Sequence, residues 1–200
     1  MIHWLQLAVG TLVLLWPGRA VARALGVAGA AESFTWSLGL VAAALAFTFA
    51  VHGSLTLTLV LVLVAGAVAT PFAWRRRGAE GHGPVWLAGL GFGVALWPIA
   101  GIVHGDALFH LARMRKLLDF GALHLRTVDE FKDGGLHPGY AFPLWHAWLA
   151  LVGKITGVDP SVVVLHESSL LTPLAFVLAY ELGRVLFRSR ALGVATLLAQ

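Results

Sequence analysis

Apolar residues fill this chain in long blocks, separated at a few places by glycine, proline and arginine. The first block covers residues 2–16 and stops at Pro17 and Gly18, which is short for a membrane span. No basic residue precedes it, and Arg19 and Arg23 follow it, the wrong order for a cleavable signal peptide, so the block predicts a helix. The second block, 34–51, ends at His52 and Gly53, and the third, 55–74, closes on Arg75, Arg76 and Arg77. Residues 55–64 alternate as a strand would. A lone strand in lipid leaves its backbone unsatisfied, however, so a helix is expected there too. A polar, glycine-rich break over 78–84 precedes a fourth block at 85–103, and a fifth covers 162–183. The last block starts at Ala191 and reaches Gln200 at about half the length needed to cross, which reads as a chain cut within a helix. There is no internal repeat.

Composition turns this pattern into a class. With 58% hydrophobic and only 12% charged residues, and a mean hydropathy of +0.82, the expected fold is all-α, a polytopic transmembrane helical protein. Six of the eight tryptophans, Trp4, Trp16, Trp36, Trp74, Trp86 and Trp97, fall near block ends, where indole rings favour the headgroup level. The absence of cysteine excludes disulfide and thiol chemistry. A pI of about 10.1 invites a nucleic-acid reading. Most of the arginines border apolar blocks, though, where membrane topology accounts for them and no nucleic-acid partner is expected.

Charge then orients the blocks. Placing Arg75–Arg77 in the cytoplasm puts Arg19 and Arg23 there as well and delivers Asp106 to the outer face. Residues 141–155 pose the remaining question, being apolar and followed by Gly157 and Pro160. If they crossed, Arg184, Arg188 and Arg190 would be stranded outside. The segment is also short, begins at a proline and carries His146 and Lys154, so it is expected to lie at the outer interface as an amphipathic helix. A long external loop containing such interfacial helices then runs over about 104–161. The expected organisation is a three-helix extension over 1–77 and a second transmembrane region over 85–200, in the plasma membrane of a prokaryotic cell.

Candidate chemistry concentrates where that loop begins. Asp106, His110, Arg113, Arg115 and Lys116 follow an apolar block at once, and ionisable groups at a membrane edge are expensive unless used. On a helix starting near Asp106, steps of 100° bring Asp106, His110, Arg113 and Leu117 to within about 40° of one line, with Arg115 opposite. Such a face offers a carboxylate to take a proton or hold a metal, an imidazole, and a cation for a phosphate leaving group, with Lys116 to one side. The same residues also fit a plainer reading, with Asp106 as a helix N-terminal acid and the cations on lipid headgroups. Asp129 and Glu130, with Asp133 and His137, lie in the same loop and fit either acceptor or metal binding or a solvated segment. His166 and Glu167 interrupt the fifth block, where a carboxylate is costly, and are candidates to line a site. Gly89, Gly91 and Gly93 follow no strand and read as helix packing, not as a nucleotide loop. His3, His52 and His82 read as interfacial or loop residues. There is no HExxH motif, which argues against a membrane zinc protease.

An apolar helix leading to Gly105 and Asp106, then Phe109-His110-Leu111-Ala112-Arg113, Gly121, Pro138-Gly139, a helix ending at Gly157 and a run over 174–187 resembles the GT-C glycosyltransferase superfamily. This includes oligosaccharyltransferase catalytic subunits, protein O-mannosyltransferases and aminoarabinose transferases. The resemblance covers 85–200 with loose motifs, and it implies a polyprenyl-phosphate-linked sugar donor, transfer at the external face, and Asp106 at the position of the family's catalytic acid. It leaves a divalent metal, Mg or Mn, open as a cofactor, with Asp106 as one ligand. On this reading Asp106 and His110 are catalytic, and Arg113 and Lys116 hold the donor phosphate. The chain departs from the family in carrying three preceding helices and in lacking a second external acidic motif, and the fragment alone is expected to be inactive. A transporter or flippase-like protein with a charged external vestibule, or a non-catalytic membrane subunit, stands as the alternative.

Overall fold

The computed structural model describes residues 2–27, 29–74, 82–129, 135 and 142–199. Among them every regular element is helical: α1 (Ile2–Ala24), α2 (Ala30–Ala50), α3 (Leu55–Trp74), α4 (Gly83–Leu96), α5 (Asp106–Asp119), α6 (Leu125–Asp129), α7 (Leu144–Thr156), α8 (Pro160–Phe187) and α9 (Arg190–Leu198). Four of these, α1, α2, α3 and α8, are long and apolar enough to cross a membrane. The expected all-α class therefore holds.

The boundaries differ from expectation in two places, each with a local cause. Pro17 does not end the first helix, which continues to Ala24. A proline removes one backbone donor, a loss that packing can absorb in a membrane helix. Here the ring is buried against α3 at Gly66, where a Cβ would stand 2.9 Å from the Pro17 Cα, and the adjacent Gly18 lies against Ser33 and Ser37 of α2. The small residues thus bring α1, α2 and α3 close together. The fourth block is helical only to Leu96, followed by a 3-10 turn at Trp97–Ile99. Pro98 has no N–H to continue the ladder, and residues 100–104 are not helical. At 17 residues including that turn, this element is shorter than the 85–103 span expected.

α4 runs antiparallel to α8. Gly93 packs on Ser169 and Gly89 on Pro173 and Phe176, so two of the three glycines serve close helix packing, while Gly91 faces open space. The bundle has two distinct ends. At one, Glu181 of α8 accepts from the backbone N–H groups of Ala30 and Ala31 at the start of α2, and also meets His82 at the start of α4 at 3.2 Å. At the other, the α2–α3 turn holds the segment after α5: Leu123 N–H donates to the Gly53 carbonyl at 2.9 Å, and the His52 and His124 rings stand 4.2 Å apart.

The largest difference concerns α7. Residues 146–153 are all buried, so the helix is enclosed between α1, α2, α5 and α8 and does not lie along an interface. Its sequence accounts for this in part, because the central run Ala147 through Val152 is apolar on every side and is stabilised when other helices surround it. Trp148 is fully buried, with Phe34 edge-on at 6.1 Å. Gly157 ends α7 in the left-handed region, φ 67°, its N–H on the Gly153 carbonyl. At 13 residues, about 20 Å, α7 falls short of a crossing.

Candidate functional site

The site is built where α5 lies on α7. Gly105, with φ 57°, turns the chain into α5, a backbone conformation that a side chain would strain. Asp106 then occupies the first turn, where the helix dipole favours a negative charge. Leu111, Met114 and Leu117 are buried residues of α5, and Met114 packs against Gly153 of α7. That register brings His110 to His146.

Three side chains form a line. Asp106 Oδ2 lies 3.1 Å from His110 Nε2, and His110 Nδ1 lies 2.8 Å from His146 Nε2. The two imidazoles stack, with centroids 5.0 Å apart and planes inclined by 25°. Exposure falls steeply along the line: the side chain of Asp106 is 82% exposed and that of His110 23%, while His146 is 2% exposed. Burial, reinforced by the charges of Arg113 and His110, pushes the His146 pKa down to about 3 from 6.5. His146 is therefore neutral at physiological pH. Both nitrogens of His110 are engaged, so neutral His110 donates from Nε2 to Asp106 and accepts at Nδ1 from His146. At the wet end only the Asp106 carboxylate is open to solvent.

Arg113 shares the expected face but is 3% exposed, its guanidinium 5.3 Å above the Phe109 ring. Phe109 in turn meets His146 edge-on at 6.2 Å. Lys116 Nζ donates to the Thr127 carbonyl at 3.1 Å and ties α5 to α6. Asp129 closes α6. Glu130, Asp133, His137, Pro138, Gly139 and Arg75–Arg77 lie outside the described residues. His166 and Glu167 face different neighbours and make no hydrogen bond or ring contact with Asp106, His110 or His146. The His166 ring stacks on Trp97 at 3.7 Å. Glu167 is 1% exposed, and its Oε1 accepts from Thr11 Oγ1 at 2.9 Å and Trp148 Nε1 at 3.1 Å.

The metal option can be tested on this geometry. Mg and Mn favour several oxygen ligands. Among the described residues the site offers one carboxylate, Asp106, both His110 nitrogens are already engaged, and no group of three ligating side chains converges. The described residues do not fit such an ion.

Sequence reasoning missed His146 as a member of the site. The available signal was its isolation: a lone imidazole inside an otherwise apolar helix needs a buried partner. The fold and site together define a helical chain with four helices able to cross a membrane and a surface carboxylate backed by two imidazoles. Comparison of the chain with protein-family models, curated proteins and solved structures found no match in any of the three.

Proposed function

We propose that this chain carries the acceptor-activating centre of a GT-C-type glycosyltransferase, which moves a sugar from a polyprenyl-phosphate donor to an acceptor at the external face of a prokaryotic plasma membrane. The observation that supports it is the Asp106–His110–His146 line, open to water at its acid. In the proposed step, Asp106 accepts the proton of the acceptor hydroxyl as the acceptor oxygen bonds to the sugar's anomeric carbon. The bond from that carbon to the donor phosphate oxygen breaks, and the polyprenyl phosphate leaves with the electron pair. His110 orients the carboxylate by donating to it from Nε2, and the proton stays on Asp106. Burial keeps His146 neutral and the charge of buried Arg113 adds to it, a different role from the donor-phosphate contact that its helical position suggests. Lys116 and lipid headgroups border the same loop.

The test is transfer from a synthetic polyprenyl-phosphate sugar by the full-length protein in vesicles. Asp106→Asn should lower transfer by about a hundredfold or more while the protein stays folded in the membrane. Undiminished transfer would remove the assignment.

A transporter is the second reading, supported by Glu167, whose Oε2 is buried without a hydrogen-bond partner among the described residues. Intramembrane carboxylates mark ion and substrate paths. Lipid-linked substrate crossing sealed vesicles, lost in Glu167→Gln and retained in Asp106→Asn, would favour that reading over the transferase.

A further inference from the structure

At the end of the bundle away from the imidazole line, α8 stops and α9 turns back along it. Gly183 and Gly193 allow the two helices to approach, since a Cβ on either would strike Thr196 or Tyr180 across the pair. The chain reverses at Arg188, with φ 51°, and Ser189 caps the first turn of α9 by accepting from the Leu192 N–H. Beside this reversal lies a recess of about 360 Å³ lined by Arg184, Val185, Arg188, Ser189 and Arg190, a volume in the range of small-ligand sites. We propose that it binds a phosphate group, carried on an anionic lipid or free in solution.

Three features support the assignment. Three arginines line one recess, and a guanidinium is a planar fork that matches phosphate oxygens two at a time. Arg188 and Arg190 are exposed, and neither makes a hydrogen bond or ion pair among the described residues. Their charges are available to a ligand. The flanks are apolar, with Val185, Leu186 and Phe187 exposed on α8 and Leu192 and Val194 on α9. A headgroup seated in the recess would place its acyl chains along those residues, the arrangement expected of basic pockets between membrane helices. The site rests on these side chains, because the end of α9 is already capped.

The test uses the full chain in phosphatidylcholine nanodiscs, alone or doped with phosphatidylglycerol, with retained lipid read by native mass spectrometry and inorganic phosphate binding read by calorimetry. Arg188→Asn suits the left-handed backbone, and Arg190→Gln lies on an exposed helix position. Each should weaken binding roughly fivefold, and Arg188→Lys with Arg190→Lys, which keep the charge but lose the fork, should recover only part of it. Arg23→Gln removes one charge at the same end of the bundle and should leave binding unchanged. Retention of phosphatidylglycerol without phosphate binding identifies the lipid as the source, and phosphate binding in phosphatidylcholine identifies the free ion. Both support the site. Binding of neither, or an equal loss in Arg23→Gln, would overturn it.

Discussion

Two acid-centred clusters meet at α7, and they are wired in opposite directions. His146 and Trp148 are two residues apart on that helix, about 200° in rotation, so they reach different neighbours. His146 meets His110 and, through it, Asp106 on α5. Trp148 meets Glu167 on α8, which also holds Thr11 of α1. In the first cluster the carboxylate stands in water and the imidazoles lie behind it. In the second the carboxylate and both its donors are buried. Burial decides what each acid can reach: Asp106 is open to solvent, whereas Glu167 fixes three helices to one another. Similar residue types therefore stand open to solvent in one place and serve assembly in the other.

The contrast can be broken most directly at Glu167. Glu167→Ala removes the acceptor of the buried Trp148 N–H, and an orphaned donor there should cost about 1–3 kcal/mol of stability, read by denaturant unfolding in mild detergent. Glu167→Gln keeps an acceptor and should cost clearly less. Equal losses would mean that the carboxylate's charge, not its hydrogen bonds, holds the helices.

Acid should expose the other cluster. Because the folded His146 pKa is depressed to about 3 from 6.5, the unfolded chain takes up a proton between those values that the folded one refuses. Stability then rises with pH across that window, is fully present above it, and falls by about 2 kcal/mol on going from pH 7 to pH 5. Unfolding of His146→Asn followed over the same range should lose this dependence. An unchanged profile would show that another group carries it.

The smallest effect on stability is expected at Asp106. Its exposure, and a single partner among the described residues one turn away, limit Asp106→Asn to under about 1 kcal/mol. A melting temperature close to that of the parent protein, together with the loss of transfer already described, would separate the two clusters cleanly. A large destabilisation would make Asp106 a structural residue as well.

Much of the helical framework was legible in the sequence. The block at 55–74 coincides with α3, and 34–51 and 162–183 lie within a few residues of α2 and α8. The lateral line Asp106–His110 was legible too, because i and i+4 positions on one helix are fixed by its pitch. The stop at Pro17 was misread because a glycine fifty residues away accommodates the ring. The surface position expected for α7 was misread for a related reason: His146 and Lys154 suggested a wet face, but His146 finds its partner inside the bundle.

The sequence by itself therefore determined the helices and their apolar lengths, since lipid admits few other ways to satisfy a backbone. It also determined which short stretch gathers acid, imidazole and cations. Only the tertiary structure decided which polar groups meet. His110 and His146 are 36 residues apart, and Thr11 and Glu167 are 156 apart. Their pairing depends on how α5, α7, α1 and α8 rotate and cross, and that is set by the packing of glycines, Met114 and Trp148 at the helix contacts, not by any local pattern.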